Sequence, residues 1–439
     1  MTAMMDTPTI TPAHPSPPSL SAEIIILIIE EIAGQRSDKD FRHALLACSS
    51  VSHFFHSISQ AHIFAVVDYT NVQLLTDDLI RARATSLKSL LVALESKPYL
   101  GQLIREFHLY VDPDLSSDAW IATIACILGY CRKLELFYFR NTAFWSWTAY
   151  PDALSCAVED IIRYNSLLAL TLVHVQEFPL SLIFCPTVKK LQLCNVTVDV
   201  PRNNYFQNDY AGAIESLHIV DLYHRVIQNM LSSGFDLSHL RHLKLKLFDL
   251  GAHNSLRIIL DKCNQSLETL SCNLNVRNTM ENASMQNQNV LNFQSLTALH
   301  ALTLCLDGTK YNFSWGSAMQ HYLVKSSVAQ NTTIKEIVFH AENLRYFRDD
   351  TPHNETTIDS LELEHIQGVL MDVGGFTVLH RVVLNIHPRL IMNGIIQTDW
   401  TLSEEEKEWY RQRLKERLAK LSSTSRFQLL FAVHESYSF

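Results

Sequence analysis

Side chains able to do chemistry are plentiful in this chain, which has 20 histidines and 9 cysteines in 439 residues. Metal binding or nucleophilic catalysis needs such groups at short fixed spacings, because ligands, or a nucleophile and its base, must converge on one point. Those spacings are absent. No His-Glu-x-x-His, Gly-x-Ser-x-Gly, Gly-x-Gly-x-x-Gly or Walker-type loop occurs. Asp307-Gly308-Thr309-Lys310 lacks the upstream glycines that cradle phosphate, and Gly374-Gly375 reads as a turn before a strand at Leu379. Cys126 with Cys131, and Cys185 with Cys194, lie in or beside apolar runs, so no metal, no cofactor and no catalytic residue is expected. The nearest approach to a recognition surface is Phe144-Trp145-Ser146-Trp147 with Tyr150, either an exposed aromatic patch or an insertion packing its own small core.

Composition narrows the classes further. The chain is 47% hydrophobic and 18% charged, a mix that buries a core, and its length suits two or three domains. With 36 Lys and Arg against 45 Asp and Glu, and no clustered basic run, nucleic acid is not an expected partner. An odd number of scattered cysteines reads as reduced, buried small hydrophobes. The N-terminus lacks the basic flank and cleavage site of a signal peptide, and no stretch is long enough to span a bilayer. A soluble protein without membrane contact, cytoplasmic or nuclear, is therefore the expectation.

Positioning elements appear as a repeat. From about residue 103 the unit apolar-x-x-apolar-x-apolar recurs: Ile104-Phe107-Leu109, Cys131-Leu134-Leu136, Leu167-Leu170-Leu172, Val188-Leu191-Leu193 and Ile214-Leu217-Ile219. It continues as Leu240-Leu243-Leu245, Leu267-Leu270-Cys272, Leu299-Leu302-Leu304, Ile334-Ile337-Phe339, Ile358-Leu361-Leu363 and Leu379-Val382-Leu384. The units start 21 to 36 residues apart. Each period-two pair predicts a short strand with one face inward, and the return, as in 153–164 or 253–263, reads as a helix. No unit buries its face alone, so stacking is required. The pattern is similar to leucine-rich repeats, without their regular asparagine beyond the strand: of the corresponding positions only Asn275 carries one. An α/β sheet domain without solenoid geometry is the alternative. Residues 275–292 and 345–357 read as polar surface loops.

At the N-terminus, Ile24 to Ile29 are continuously apolar between Ser21-Ala22-Glu23 and Glu30-Glu31. Ser21 is a fitting N-cap, Glu23 suits the positive end of the helix dipole and Gly34 suits a stop. At about 100° per residue the apolar side chains fill roughly 200°, about twice what one core covers. A second protein against this helix is the implied partner. Phe41, Leu45, Cys48, Ser52 and Phe55 then share a helical stripe, predicting a second amphipathic helix, and Ile63-Phe64 precede a strand.

This ordered set resembles an F-box: Leu20-Ser21-Ala22-Glu23-Ile24 for its opening, Ile28 and Ile32 later in the first helix, Ser50-Val51-Ser52-His53-Phe54-Phe55 in the second, and Ile63-Phe64 at its close. Ser21 stands where the family usually has proline, and Ser50 and His53 replace its usual leucine and basic residue. The resemblance implies docking on the Skp1-type adaptor of a cullin-RING ubiquitin ligase through Leu20, Ser21, Glu23, Ile24, Ile28, Val51 and Phe55, with the repeats holding an unidentified target.

The expected organisation is α/β. A disordered, Pro-rich leader (1–16) precedes an F-box-like helical module (17–66) and a helical linker (67–102). An irregular leucine-rich-repeat-like solenoid of parallel short strands and outer helices (103–400) follows. A capping helix and strand (401–439) end the chain, the helix opening on Ser403 and Glu406 as a capping box. The alternative is a scaffold whose N-terminal helices only cap the repeats.

Overall fold

The computed structural model describes residues 21–34, 40–69, 77–111, 118–199, 213–220, 224–232, 234–246, 250–274, 293–307, 323, 328, 331–346, 363–371, 376–392, 395–396, 403–419 and 427–433. Two compact units divide the chain, residues 1–67 and 68–439. The leader falls outside the described residues, as do 275–292, most of 345–357 and the Gly374-Gly375 pair.

Three helices build the first unit: α1 (Ala22–Gly34), α2 (Phe41–Ser49) and α3 (His53–Ala65). The single helix predicted from Phe41 onward is thus two. Serines mark the break. Ser49 Oγ donates to the Leu46 carbonyl and Ser50 Oγ to the Ala47 carbonyl, each at 2.7 Å, beside the closing backbone bonds of Ser50 N–H to Ala47 and Val51 N–H to Cys48, both at 3.1 Å. Ser52 is in extended conformation and its Oγ accepts the Phe55 N–H at 3.3 Å, which caps α3. Ile29, Ala33 and Leu45 form the buried centre, with Ile25, Ile32, Phe41, Phe55, Ile58 and Ile63 packed around it. A short strand, β1 (Val66–Asp68), follows.

In the second unit, α4 (Asp77–Ser96) and a 3-10 turn (Pro98–Gln102) occupy the stretch read as a linker. Helix α4 packs against α5 (Asp118–Tyr130), so it begins the outer helical layer. Gly101, buried in the turn, lies so close to the end of α5 that a Cβ would come within 2.9 Å of the Tyr130 carbonyl carbon. Gly101→Ala is expected to lower stability by about 1 to 3 kcal/mol through overpacking, seen as a fall of several degrees in the thermal midpoint.

The main strands are β2 (Glu106–Val111), β3 (Leu136–Asn141), β4 (Ala169–Val173), β6 (Lys190–Cys194), β8 (Ser216–Val220), β9 (His242–Lys246) and β10 (Thr269–Leu274). After them come β11 (Ala301–Asp307), β12 (Glu336–Tyr346), β13 (Arg381–Met392) and β15 (Gln428–Val433). From β2 to β15 these pair in parallel, each with the next in chain order. Two minor strands, β5 (Phe178–Pro179) and β7 (Val198–Asp199), pair with each other, and β14 (Ile395–Ile396) folds back on β13.

Register explains the repeat. Phe107, Phe137, Leu170, Leu191, Leu217, Leu243, Leu270, Leu302, Ile337 and Val382 are successive partners in one row. Leu109, Phe139, Leu172, Leu193, Ile219, Leu245, Cys272, Leu304, Phe339 and Leu384 form a second, and both rows are buried. A one-residue slip would turn either row to solvent, which pins the ladder.

Two predicted units need correction. In the second, Leu134 and Leu136 are not the strand pair: Phe137 and Phe139 are, and Leu134 takes the place that Ile104 has in the first. Aromatic residues at the inward positions hid the frame from a leucine-based pattern. In the tenth, Leu363 opens a helix, α10 (Leu363–Met371), and β12 pairs directly with β13, so no strand intervenes; residues 358–362 lie outside the described ones. Arg345, taken as the start of a loop, is still within β12.

Outer helices return the chain between strands: α5, α6 (Asp152–Tyr164), a short α7 (Leu180–Ile183), α8 (His224–Ser232) and α9 (Leu250–Lys262). At the C-terminal end, α11 (Glu404–Arg417) starts with the capping box of Ser403 and Glu406. It buries Tyr410 and Leu414 and packs against β15, the strand that extends the sheet beyond β13.

Candidate functional site

Helix α1 has more apolar surface than its own unit covers. Ile29 and Ala33 are buried, whereas Ile24 is 46% exposed, Leu27 64% and Ile28 41%. Residues 24, 27 and 28 stand at i, i+3 and i+4, so they share one face of the helix. Nearby in sequence, Leu46, Val51 and Phe54 are also exposed.

The opening turn explains how α1 starts. Ser21 Oγ accepts the Ile24 N–H at 3.4 Å, and the exposed Glu23 carboxyl is held below its usual range by its own backbone amide and by the Ser21 hydroxyl. Of the residues implied in adaptor docking, Leu20 lies outside the described residues. Ser21, Glu23, Ile24 and Ile28 gather on the first half of α1, and Val51 is exposed in the turn between α2 and α3. Phe55 differs from these: it packs against the buried centre. The stripe it shares with Phe41 and Leu45 is the core stripe of the unit. Phe54, about 100° around the helix, is the exposed member of the pair. Leu27, Leu46 and Phe54 were not singled out by the family pattern, and their signal is only that of apolar side chains left over once the core stripe is assigned.

The aromatic insertion after β3 packs partly on itself, with Tyr150 5.6 Å from Trp147 and 6.1 Å from Trp145, and partly on rings of β3 and β5. Trp147 and Tyr150 are buried, with Trp147 edge-on to Phe178 at 4.8 Å and Tyr150 edge-on to Phe139 at 5.7 Å. Phe144 is left exposed and stacks on His174 at 4.3 Å. The small-core reading therefore holds in part: Trp147 and Tyr150 are buried together, but in a cluster that also includes Phe139 and Phe178 of the strands.

The outward face of the sheet forms a groove of about 530 Å³ across β3 to β10, lined by Thr171, Lys190, Gln192, His218, His242 and Lys244 among others. His218 lies on the middle strand of the group. Burial, assisted by the charge of Lys244, lowers its pKa to about 4. A histidine depressed in the folded chain contributes stability above its unfolded value of about 6.5, and that contribution is lost as pH falls through about 4. The chain is expected to lose stability across that window. His218→Gln should flatten this part of the pH profile in denaturant titrations.

Ion pairs line the entrance to the strands: Arg105 with Glu135 at 3.1 Å, Lys189 with Glu215 at 2.8 Å, and Arg241 with Glu268 through Nε at 2.7 Å. Exposed pairs of this kind contribute less than about 1 kcal/mol each. Their role is alignment of neighbouring strands.

Among the described residues no group of three or more His, Cys, Asp or Glu is placed to hold a metal ion. None of the nine cysteines is joined in a disulfide. Burial raises the pKa of Cys131 and of Cys263 to about 12, which removes thiolate character at neutral pH. Cys126 and Cys156, expected to be buried, are exposed on the outer helices. No helix among the described residues is long and apolar enough to cross a membrane. No family model matches the chain, and no curated protein matches it.

Proposed function

We propose that this protein is the substrate-recognition subunit of an SCF-type cullin-RING ubiquitin ligase. In this reading the unit of α1 to α3 is an F-box that docks on a Skp1-type adaptor, and the repeat sheet is a divergent leucine-rich-repeat solenoid that holds the target. The chain itself makes and breaks no covalent bond; ubiquitin transfer belongs to other subunits.

The observation that carries the reading is the exposed trio Ile24, Leu27 and Ile28 on a unit whose core is already closed by Ile29, Ala33 and Leu45. Apolar side chains on one helical face, outside a completed core, mark a surface for another protein. The short strand β1 after Ile63-Phe64 also suits the family resemblance. Affinity purification of the full chain tests the proposal: a Skp1-type adaptor and a cullin are expected to co-purify in stoichiometric amount. Recovery of the chain without the adaptor would favour the scaffold alternative.

A further inference from the structure

The parallel ladder collects, on one face, cations that are far apart in sequence. On the strands β3, β4, β6, β8, β9 and β10, the side chains alternating with the buried rows are Leu136, Tyr138 and Arg140; Ala169, Thr171 and Val173; Lys190, Gln192 and Cys194; Ser216, His218 and Val220; His242, Lys244 and Lys246; and Thr269, Ser271 and Asn273. No carboxylate occurs among these eighteen positions, although the chain as a whole carries a formal charge of -9. At the strand entrances Glu135, Glu215 and Glu268 are each paired with a cation, and the lining of the groove contains Lys190, His218, His242 and Lys244 with no Asp or Glu. The groove that these strands line is thus a positive zone on an acidic protein.

Spacing decides what fits it. A bound phosphate needs several donors converging on one point, usually with an arginine fork. Here Lys190 on β6 and Lys244 on β9 are two strand steps apart and two residues out of register, a diagonal of about 12 Å over the sheet. An extended chain covers that distance in about three to four residues. We propose that the groove takes an extended, aspartate- and glutamate-rich segment of a partner protein, laid across the strands with its carboxylates on Lys190 and Lys244. Thr171, Gln192 and His242 supply hydrogen-bonding groups along its path. The inference deepens the receptor reading and rests on it for the partner being a target of ubiquitin transfer, but the binding step is measured on the chain alone.

Fluorescence anisotropy on the full-length chain provides the test. The probe is a labelled peptide of about twelve residues, otherwise Gly and Ser, with Glu or Asp at about every third position. Saturable binding is expected, weakening by about tenfold or more as salt rises from about 50 to about 300 mM. The variant Lys190→Glu with Lys244→Glu should lose binding by at least about tenfold, and Lys190→Gln with Lys244→Gln should lose it in part. Both variants should keep the circular dichroism spectrum and adaptor capture of the parent chain. Unchanged binding by both variants, no binding by the parent, or equal or tighter binding of a uridine oligomer of the same length would overturn the proposal. Adaptor capture in the parent chain, read in the same preparations, tests the receptor proposal separately.

Discussion

A chain carrying Ile24→Asp and Ile28→Asp is expected to lose capture of a Skp1-type adaptor by about a thousandfold or more, while the unfolding transition of residues 68–439 stays where it was. The two isoleucines are 46% and 41% exposed, so each has roughly half its side chain still to be removed from water by a partner. That remaining burial contributes about 1 kcal/mol per residue. The aspartates do more than delete it: a carboxylate pressed into an apolar interface without a partner costs several kcal/mol unless it protonates or the interface opens. Together the losses exceed about 4 kcal/mol, close to a thousandfold in affinity. Because the substituted side chains stand outside the cluster of Ile29, Ala33 and Leu45, the helical unit should remain folded. Phe55→Ala provides the contrast, since that ring packs on the cluster and its removal should loosen the unit itself. Hydrogen exchange in 22–65 separates the two cases: protection retained in the aspartate variant, reduced in the alanine one. Adaptor capture persisting in the aspartate variant would mean that this face of α1 is not the docking surface.

How far these features are legible in the sequence depends on how local their causes are. Leu243-x-Leu245 announces its strand because a period of two is a property of three residues, and the ladder only repeats it. Phe137 and Phe139 do the same work with rings, and a reader following leucines sets the frame three residues early. The break between α2 and α3 is harder. The stripe from Phe41 to Phe55 continues through it in phase, and the break is marked by serines, two hydroxyls bonding back to carbonyls 2.7 Å away beside the closing backbone bonds of α2, and Ser52 capping α3. For the same reason the sequence separates exposed from packed side chains poorly within the helical unit: Phe54 and Phe55 are adjacent and alike, and only the third helix's placement on Ile29 distinguishes them. The positive groove is still less local. Lys190, Lys244 and Arg140 come from three strands separated by outer helices, and no window along the chain contains them together. Net charge and linear clustering both point away from a basic face that parallel stacking then creates.

The missing asparagine ladder leads to the second large effect. A regular repeat would carry asparagine beyond each strand, and this chain does not. Polar side chains before the strand bond the neighbouring backbone instead. Asn165 Oδ1 accepts the Leu134 N–H of the preceding unit at 3.0 Å, Ser266 Oγ donates to the Leu240 carbonyl at 2.9 Å, and Asn331 does the most. Its Nδ2 donates to the Phe293 and Leu296 carbonyls at 2.7 and 3.0 Å, and its Oδ1 accepts the Thr333 and Ile334 N–H groups at 2.8 and 3.2 Å. Only 3% of Asn331 is exposed, so water has little access to these four backbone groups. Asn331→Ala orphans the two N–H groups, whereas the Phe293 and Leu296 carbonyls keep the Leu296 and Leu299 N–H groups at 3.1 and 3.3 Å; at about 1 to 3 kcal/mol for each N–H left unsatisfied, the loss should be about 3 kcal/mol. Asn331→Asp keeps the acceptor but turns an oxygen toward the two carbonyls where the parent has a donor, and is expected to be at least as damaging at neutral pH. Lys189→Ala, which breaks only an exposed ion pair, should cost under about 1 kcal/mol. Denaturant titrations of the three variants, read as shifts in midpoint at constant slope, provide the measurement. If Asn331→Ala cost no more than Lys189→Ala, the turns into β11 and β12 would be held by backbone pairing and packing alone, and side-chain bonding between units could not be what replaces the asparagine ladder.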